Sequence, residues 1–522
     1  MISLLFIFLL GSISKKPLSR VSSIFTRSLD TDLSPDGSPV PLKAPKPVRV
    51  QHYPGELWFR EQHVDHFDPT NTKKWSQRYY YNDTYYKAGG PVFLMIGGEG
   101  PATPRDVGDY FSIDYFAKNM NGLKVALEHR FYGASFPSTN SADLSLLRSD
   151  QALADIATFL AYLKREYNLP EGTKIVAVGG SYSGNLAAWA RIQFPFIIDA
   201  AISSSGPYLA QTDYPEYLQH IDSQVRKYGG DRCMDIISAA HKDAEYLLSH
   251  DKATLATIFK LKEESIYNST GYDKASFMSA MGAPSGVVQY AKHDGYYNTT
   301  KDGDIKQMCK AIEASYDSYD TGESYQDLKA YASWLLDYYG GSMEEIDLSF
   351  DGYIKAIQNT SIDSEFAVDR SWLWQTCVEF GYYQTSSPAA GFGTMITLDY
   401  FLEMCYKAYF APGATPPGAP SFTRSQSDDL VNKAVRFTNV YYGARNIKMS
   451  NIYITNGHVD PWSELSYREG ETWSTGHHLH NGSTTSYIPN GSHCTDLYTS
   501  WSINDSLRAT QLEFLRSALG FS

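Results

Sequence analysis

The segment IVAVGGSYSGNLAAWA, residues 175–190, constrains the fold of this chain more than any other. Its β-branched run Ile175–Val178 predicts a strand, and Gly184–Gln193 predicts a helix. The turn between them, residues 179–183, reads GGSYS. So sharp a change from strand to helix requires small residues, because larger ones would collide where the two elements meet. The segment therefore predicts a strand–turn–helix unit with a serine at its tip.

A serine at such a turn is typical of a nucleophile elbow, in which the strained backbone exposes the hydroxyl. Ser181 occupies that position. The strict pattern Gly-x-Ser-x-Gly requires glycine at 183, where this chain has serine. The departure weakens the match to the motif, but the interpretation remains because serine is also small. For the motif alone, a phosphate-type glycine turn and a plain strand–helix junction stay open as alternatives.

Other apolar runs alternate with helical patterns in the same way. Val92–Ile96, Val125–Leu127 and Ala200–Ile202 predict strands, and apolar residues between 153 and 167 recur at helical spacing. Strands that alternate with helices predict a mostly parallel sheet covered on both faces. With the elbow, this pattern indicates the α/β-hydrolase fold.

The pattern changes between about Tyr214 and Thr438, where helical spacing rich in Tyr, Asp and Lys dominates. We interpret this region as a large helical insertion, with a loop at the Pro/Gly-rich segment 411–420. Strand signals return at Ile452–Thr455 and Ser486–Ile488, and a last helix is predicted from about Asp505 to Leu519. No internal repeat is visible.

Two later segments supply the partners that a serine nucleophile requires. In α/β hydrolases the acid and then the histidine follow the serine, on loops after later strands. Asp460 follows the strand Ile452–Thr455, and His493 follows the strand through Ile488. An imidazole accepts the serine proton, and a carboxylate fixes the imidazole tautomer. The sequence thus predicts a triad of Ser181, Asp460 and His493.

Each partner has a plainer interpretation. Asp460 could cap a helix before Pro461, and His493 could be an ordinary surface histidine. Rival histidines are His458, His477, His478 and His480. The last three lie in the polar stretch GHHLHNG, which could suggest a metal; we interpret it as a solvated loop and expect no metal or other cofactor.

The oxyanion hole requires two backbone N–H groups that point at the developing negative charge. One is expected from Tyr182, the residue after the nucleophile, and the other from the loop MIGGEGP after the strand Val92–Ile96. Gly98 and Glu99 are the candidates in that loop, although an ordinary glycine turn stays open as the alternative.

Charge and the N-terminal residues bear on partners and location. A formal net charge of -13 argues against sequence-independent nucleic-acid binding, which depends on Lys and Arg. The apolar run within residues 1–14 predicts a signal peptide, because it is too short to span a bilayer, and no later segment is long enough. A flexible Pro/Ser-rich leader is expected over 15–49, with ordered structure from about residue 50. The expected location is secreted, lysosomal or endosomal.

Sequons and cysteines agree with an oxidising, glycosylating compartment. Asn-x-Ser/Thr sequons make candidate glycosylation sites of Asn82, Asn268, Asn298, Asn359, Asn481, Asn490 and Asn504. The five cysteines, Cys233, Cys309, Cys377, Cys405 and Cys494, show no metal-ligand spacing, so disulfides are the expected use. Their odd number leaves at least one unpaired.

Several motifs in order along the chain carry a family resemblance: GGEGP at 97–101, EHRFYG at 128–133, ALADIA at 152–157, GGSYSGNLAAWAR at 179–191, TNGHVDPW at 455–462 and GSHCTDL at 491–497, with DHF at 65–67 and QRYY at 77–80. They resemble the serine peptidase family of lysosomal Pro-X carboxypeptidase, dipeptidyl peptidase 2 and thymus-specific serine protease. Ser183 and the SHC form around His493 look closest to the thymus-specific branch.

The resemblance implies the same triad, a helical cap over the active site and a preference for proline before the scissile bond. It also implies the disulfides Cys233–Cys309 and Cys377–Cys405, with Cys494 free beside the histidine. The expected organisation is a signal peptide (1–14), a leader (15–49), an α/β-hydrolase domain in two parts (50–213 and 439–522) and a cap between them (214–438).

The sequence favours a proline-directed serine exopeptidase that acts on peptides through an acyl-enzyme. It leaves open which chain end is trimmed, with Glu99 a candidate acid for an amino terminus, and it allows a homodimer. An esterase or lipase on the same fold is one alternative. A catalytically silent secreted binding protein is another, although no triad member is missing.

Overall fold

The computed structural model describes residues 56–261, 270–292, 303–343, 348–414, 421–467, 482–499 and 505–521. The predicted signal peptide and leader lie outside the described residues. So do the sequons at Asn268, Asn298, Asn481 and Asn504, and the histidines His477, His478 and His480.

A twisted sheet forms the centre of the molecule. Its strands are β1 (Leu57–His63), β2 (Lys74–Asn82), β3 (Val92–Ile96), β4 (Leu123–Leu127), β5 (Ile175–Gly180), β6 (Ala200–Ser204), β9 (Ile452–Gly457) and β10 (Thr484–Ile488), with β7 and β8 elsewhere. Their order in the sheet is β1-β2-β4-β3-β5-β6-β9-β10. From β4 to β10 neighbouring strands are parallel, whereas β2 is antiparallel to both β1 and β4.

Helices cover both faces of the sheet, because successive residues of its buried strands point to opposite sides. Leu94 packs in one cluster with α2 (Ser149–Glu166) and α3 (Tyr182–Gln193). Its neighbour Phe93 packs in a second cluster with α1 (Ile113–Met120) and α15 (Asp505–Leu519). The result is the three-layer architecture that the sequence predicted.

The central strands and the terminal helix confirm the sequence expectations, with ends extended by up to two residues. The antiparallel pair β1 and β2 was not predicted. Buried, half-buried and exposed residues are mixed along β1, so this edge strand lacks the continuous apolar run that marks β3 and β5.

A long insertion separates β6 from β9. Its helices are α4 (Glu216–Gly229), α5 (Asp231–His250), α6 (Lys252–Phe259), α7 (Gly271–Met281), α8 (Pro284–Gln289), α9 (Asp304–Asp317), α10 (Gln326–Tyr338), α11 (Phe350–Ile357), α12 (Ala367–Gln375), α13 (Leu398–Cys405) and α14 (Arg424–Tyr442). Short π-helices, Thr376–Phe380 and Tyr406–Phe410, continue α12 and α13. Two short strands, β7 (Gln211–Asp213) and β8 (Gly381–Tyr383), pair in parallel. The expected boundary at 438 falls inside α14.

Two disulfides lie within this insertion. Cys233 is bonded to Cys309, and Cys377 is bonded to Cys405. Cys494 is free and buried. These pairs are those that the family resemblance implied.

The sequon at Asn82 lies in a buried part of the sheet. Asn82 is 3% exposed, and its amide nitrogen donates to the Val107 carbonyl at 3.0 Å. Glycosylation at this residue stays a prediction, and it would have to replace that hydrogen bond. Asn359 is exposed and Asn490 is partly exposed, and both stay candidates.

Candidate active site

The predicted nucleophile lies at the turn between β5 and α3. Ser181 has φ 58° and ψ -133°, a conformation that L-residues rarely adopt, and it is 6% exposed. A side chain at Gly179 would stand 2.0 Å from the Ser183 carbonyl oxygen, and one at Gly184 would stand 2.8 Å from the Ser204 carbonyl oxygen. Glycine is required at both places by this close approach, which gives the turn its elbow shape.

Ser183 fits where the strict motif has glycine. Its hydroxyl donates to the Gly180 carbonyl at 2.7 Å and lies 3.1 Å from the Gly180 amide nitrogen. The substitution therefore adds hydrogen bonds inside the turn and leaves the elbow shape intact.

The loops after β9 and β10 are joined by backbone hydrogen bonds. The amide of His458 donates to Ile488 and that of Val459 donates to Gly491, at 2.9 and 2.8 Å. A side chain at Gly457 would stand 2.2 Å from the Gly491 carbonyl oxygen, so glycine lets the loops touch. This pairing carries Asp460 and His493 to the same place.

Asp460 and His493 are in contact and buried. His493 Nδ1 lies 3.0 Å from each carboxylate oxygen of Asp460, and both side chains are 0% exposed. Burial disfavours the imidazolium, but the Asp460 carboxylate outweighs it, so the pKa of His493 is well above its usual value of 6.5. Asp460 also accepts from the Trp462 amide at 3.0 Å, so it caps the short 3-10 helix Pro461–Leu465 as well.

The other imidazole nitrogen, Nε2, is buried and makes no hydrogen bond to any described residue. In a serine hydrolase this nitrogen is the one that accepts the proton of the nucleophile. His458, a rival in the sequence, packs its ring against that of Tyr487.

The insertion contributes directly to this site. The backbone amide of His493 donates to the Gln289 carbonyl at 2.8 Å, at the end of α8. The side-chain oxygen of Gln289 accepts from the indole nitrogen of Trp462 at 3.1 Å and from the Tyr217 hydroxyl. Sequence reasoning missed Gln289, because no motif marks it and its role comes from a long-range contact.

The glycine loop after β3 runs beside the elbow. The Gly97 amide donates to the Leu127 carbonyl at 2.8 Å and is therefore engaged, whereas Gly98 and Glu99 follow it as buried residues. Burial raises the pKa of the Glu99 carboxyl, whereas its own backbone amide, the charge of His493 and the Ser181 hydroxyl lower it. The Glu99 carboxyl therefore lies near the predicted nucleophile and the predicted base.

Cys494 packs behind the elbow. A side chain at Gly180 would stand 2.8 Å from the Cys494 sulfur, and the Cys494 amide donates to the Ser205 hydroxyl at 2.9 Å. The thiol therefore fills the space that the glycine leaves open.

In the described ranges no group of three or more His, Cys, Asp or Glu side chains could hold a metal ion. No helix among those residues is long and apolar enough to cross a membrane.

A mostly parallel sheet with helices on both faces, a serine on a strand–helix turn, and a carboxylate and a histidine on the loops after two later strands define an α/β-hydrolase. The chain belongs to the serine peptidase family described as Serine carboxypeptidase S28, whose sequence model matches residues 62–511.

Relatives share most of their length with this chain. It is 32% identical over 466 residues to a Caenorhabditis elegans protein that is named as a serine protease, covering 86% of this chain and 84% of that one. It is 32% identical over 468 residues to mouse thymus-specific serine protease, covering 85% of this chain and 84% of the mouse protein. Among solved structures, a proline iminopeptidase of Mycobacterium smegmatis is 10% identical with a TM-score of 0.31. The match covers 85% of this chain and 96% of the iminopeptidase chain.

Proposed function

We propose that this protein is a serine exopeptidase that prefers proline before the scissile bond, with Ser181, His493 and Asp460 as its triad. The observation that carries the proposal is the buried contact of His493 Nδ1 with both carboxylate oxygens of Asp460 at 3.0 Å, beside the elbow of Ser181. That contact fixes the tautomer that leaves Nε2 to accept a proton.

The reaction follows from these positions. His493 Nε2 takes the proton of Ser181 as its oxygen attacks the scissile carbonyl, and the imidazolium then protonates the leaving amine. The amides of Tyr182 and of Gly98 or Glu99 are the proposed donors to the oxyanion. Water then hydrolyses the acyl-enzyme by the same route.

Family membership and the insertion support the exopeptidase specificity. One Caenorhabditis elegans relative, 26% identical over 443 residues, is named prolyl carboxy peptidase like protein 5. The contact of α8 with the His493 loop supports an insertion that acts as a cap and narrows access to the chain ends of peptides. Two disulfides suit a protein that folds in the secretory pathway, for secretion or for an acidic organelle.

The test is covalent labelling followed by product analysis. A fluorophosphonate should modify Ser181 stoichiometrically, and a library of proline-containing peptides should lose residues from one end only. Ser181→Ala should abolish labelling and turnover with little change in melting temperature, because a small side chain at the elbow contributes little to packing. Ser183→Ala is the matched control and should keep the label. Labelling that survives Ser181→Ala, or absent labelling of the processed protein, would refute the proposal; in the latter case a binding protein is favoured.

A further inference from the structure

The side chain of Glu99 is a buried carboxyl that the triad does not use. The residue is 2% exposed, and one carboxyl oxygen, Oε2, has no hydrogen-bond partner among the described residues. Leaving a carboxyl oxygen unpaired in the interior is costly, so such groups are usually paired by protein, water or ligand. A missing partner next to a nucleophile points to a group that arrives with the substrate.

The surroundings of Glu99 place this oxygen at the reaction centre. The strand β3, whose following loop carries Glu99, lies next to β5, which leads into Ser181. The Ser181 hydroxyl and the charge of His493 both lower the pKa of the Glu99 carboxyl, so both groups lie near it. On another side it lies close enough to Tyr132 to raise the pKa of that buried phenol, an effect that adds to burial. His493 Nε2 is likewise buried without a hydrogen-bond partner among the described residues.

The charge of the site favours a cationic partner. Asp460 and Glu99 are both buried there, and no lysine or arginine of the described chain forms an ion pair or hydrogen bond with Glu99, Asp460 or His493. The imidazole of His493 is basic, but it is already paired with Asp460, so a carboxylate at the end of a substrate would face Glu99 without a lysine or arginine of the described chain bonded there. An ammonium would instead find an acceptor with a free oxygen.

We propose that Glu99 binds the protonated amino terminus of the substrate, so that this enzyme trims peptides from the amino end. The inference rests on the proposed serine peptidase activity and decides its substrate class. The ammonium would bind the free oxygen Oε2 of Glu99 and so hold the correct chain end of the substrate beside Ser181.

The test compares paired substrates on paired variants. The substrates are proline amide and alanyl-proline amide of one fluorogenic amine, each with a free and with an acetylated amino terminus. On the natural enzyme, acetylation should lower kcat/KM about 10- to 100-fold, the range expected for hydrogen bonds to a charged group. In Glu99→Gln the values of kcat/KM for the free and acetylated substrates should become nearly equal, whatever the change in the absolute rates, because the ammonium loses its charged partner.

Two further variants separate recognition from folding. Glu99→Asp should restore part of the preference for the free amine. Asp106→Asn, on the same loop but bonded to the Thr103 amide, should keep the preference in full. Fluorophosphonate labelling of each variant reports whether the triad is intact. If Glu99→Gln loses labelling, its active site is misfolded, and Glu99→Asp is then compared with the natural enzyme instead.

The inference is overturned if acetylated and free substrates react equally, if acetylation has the same effect in Glu99→Gln and the natural enzyme, or if products show release from the carboxyl end. In each of these cases stoichiometric labelling at Ser181 would leave the proposed serine peptidase standing. If labelling fails in the natural enzyme, the proposed function itself is refuted.

Discussion

At the scale of single residues, the site combines strain with burial. Ser181 holds a left-handed φ of 58° because the hydrogen-bonded core around it fixes the turn: its amide donates to the Ser204 carbonyl at 2.9 Å. Cys494 also has a left-handed φ, of 55°, immediately after His493. One strained residue is thus the proposed nucleophile, and the other directly follows the proposed base. The packing of the neighbouring loops maintains the strain at both.

The protonation of His493 predicts how activity depends on pH. The imidazole must be neutral to accept the Ser181 proton, and Asp460 holds its pKa well above 6.5 despite burial. Activity should therefore be lost as the pH falls through this raised pKa, so the acid limb of kcat/KM should lie above pH 6.5. The measurement is a pH profile on a proline-containing dipeptide amide, in which the acid limb reports the base of the free enzyme.

Asp460→Asn is the variant that tests the cause. Without the carboxylate the pKa of His493 should fall, moving the acid limb to lower pH, and kcat should drop by several orders of magnitude. A limb below pH 6 in the natural enzyme would contradict the prediction. A limb that keeps its position in Asp460→Asn would show that Asp460 does not set it.

At the scale of elements, a buried carboxylate joins the insertion to the hydrolase core. Glu379, in the π-helix Thr376–Phe380, accepts from the backbone amide of Ser149 at 2.9 Å and from its hydroxyl at 2.5 Å. Ser149 is the first residue of α2, so Glu379 caps that helix. Gln375 continues the chain of contacts from Glu379 to the hydroxyl of Tyr182, the residue after the nucleophile.

Glu379 should make stability depend on pH. Burial raises its pKa to about 7, against hydrogen bonds from Ser149 that lower it. Between pH 4.5, the usual pKa of a glutamate, and about pH 7, the folded protein holds a proton that the unfolded chain has released. The free energy of unfolding should therefore fall as the pH rises across this range, by an amount on the order of 3 kcal/mol at most.

Glu379→Gln removes this titration. The melting temperature should fall from pH 5 to pH 8 in the natural protein, and the fall should be smaller by a few °C in the variant. Equal drops in the two proteins would mean that Glu379 does not titrate in the folded state over this range. Fluorophosphonate labelling of the variant at pH 8 checks that Ser181 stays reactive.

At the scale of the whole molecule, the insertion and the sheet form one contact region around the proposed triad. Tyr214 donates to the Pro461 carbonyl at 2.6 Å, His220 lies 2.8 Å from Glu464, and α8 holds the His493 loop through Gln289. These contacts position the helices beside the carboxyl ends of the strands. A chain that has no free end should be unable to pass between them.

Cyclic peptides test this consequence of the architecture. A head-to-tail cyclic peptide with one proline should resist cleavage, whereas the linear peptide of the same sequence should be trimmed by one or two residues. Mass spectrometry after equal incubation distinguishes the two results. Opening of the cyclic peptide at the bond after proline would show that the insertion admits internal chain segments, and would make the enzyme an endopeptidase.

Local patterns in the sequence determined much of the architecture. Continuous apolar runs marked β3, β5 and β6, and the small residues at 179–184 marked the elbow, because each depends on neighbours close in the chain. The order of serine, acid and histidine along the chain gave the candidate triad. The cysteine pairs came from the family resemblance, since spacing alone allows several pairings.

Tertiary structure alone decided what depends on contacts between distant segments. The strands β1 and β2, at one end of the sheet, have no continuous apolar run, and Asn82 matches a sequon although its nitrogen bonds to Val107. Nothing local shows that Gln289 would hold His493, or that Glu99 would be buried with an oxygen unpaired. Burial and hydrogen-bond pairing belong to the packed molecule, because each residue's partners are brought to it from other parts of the chain.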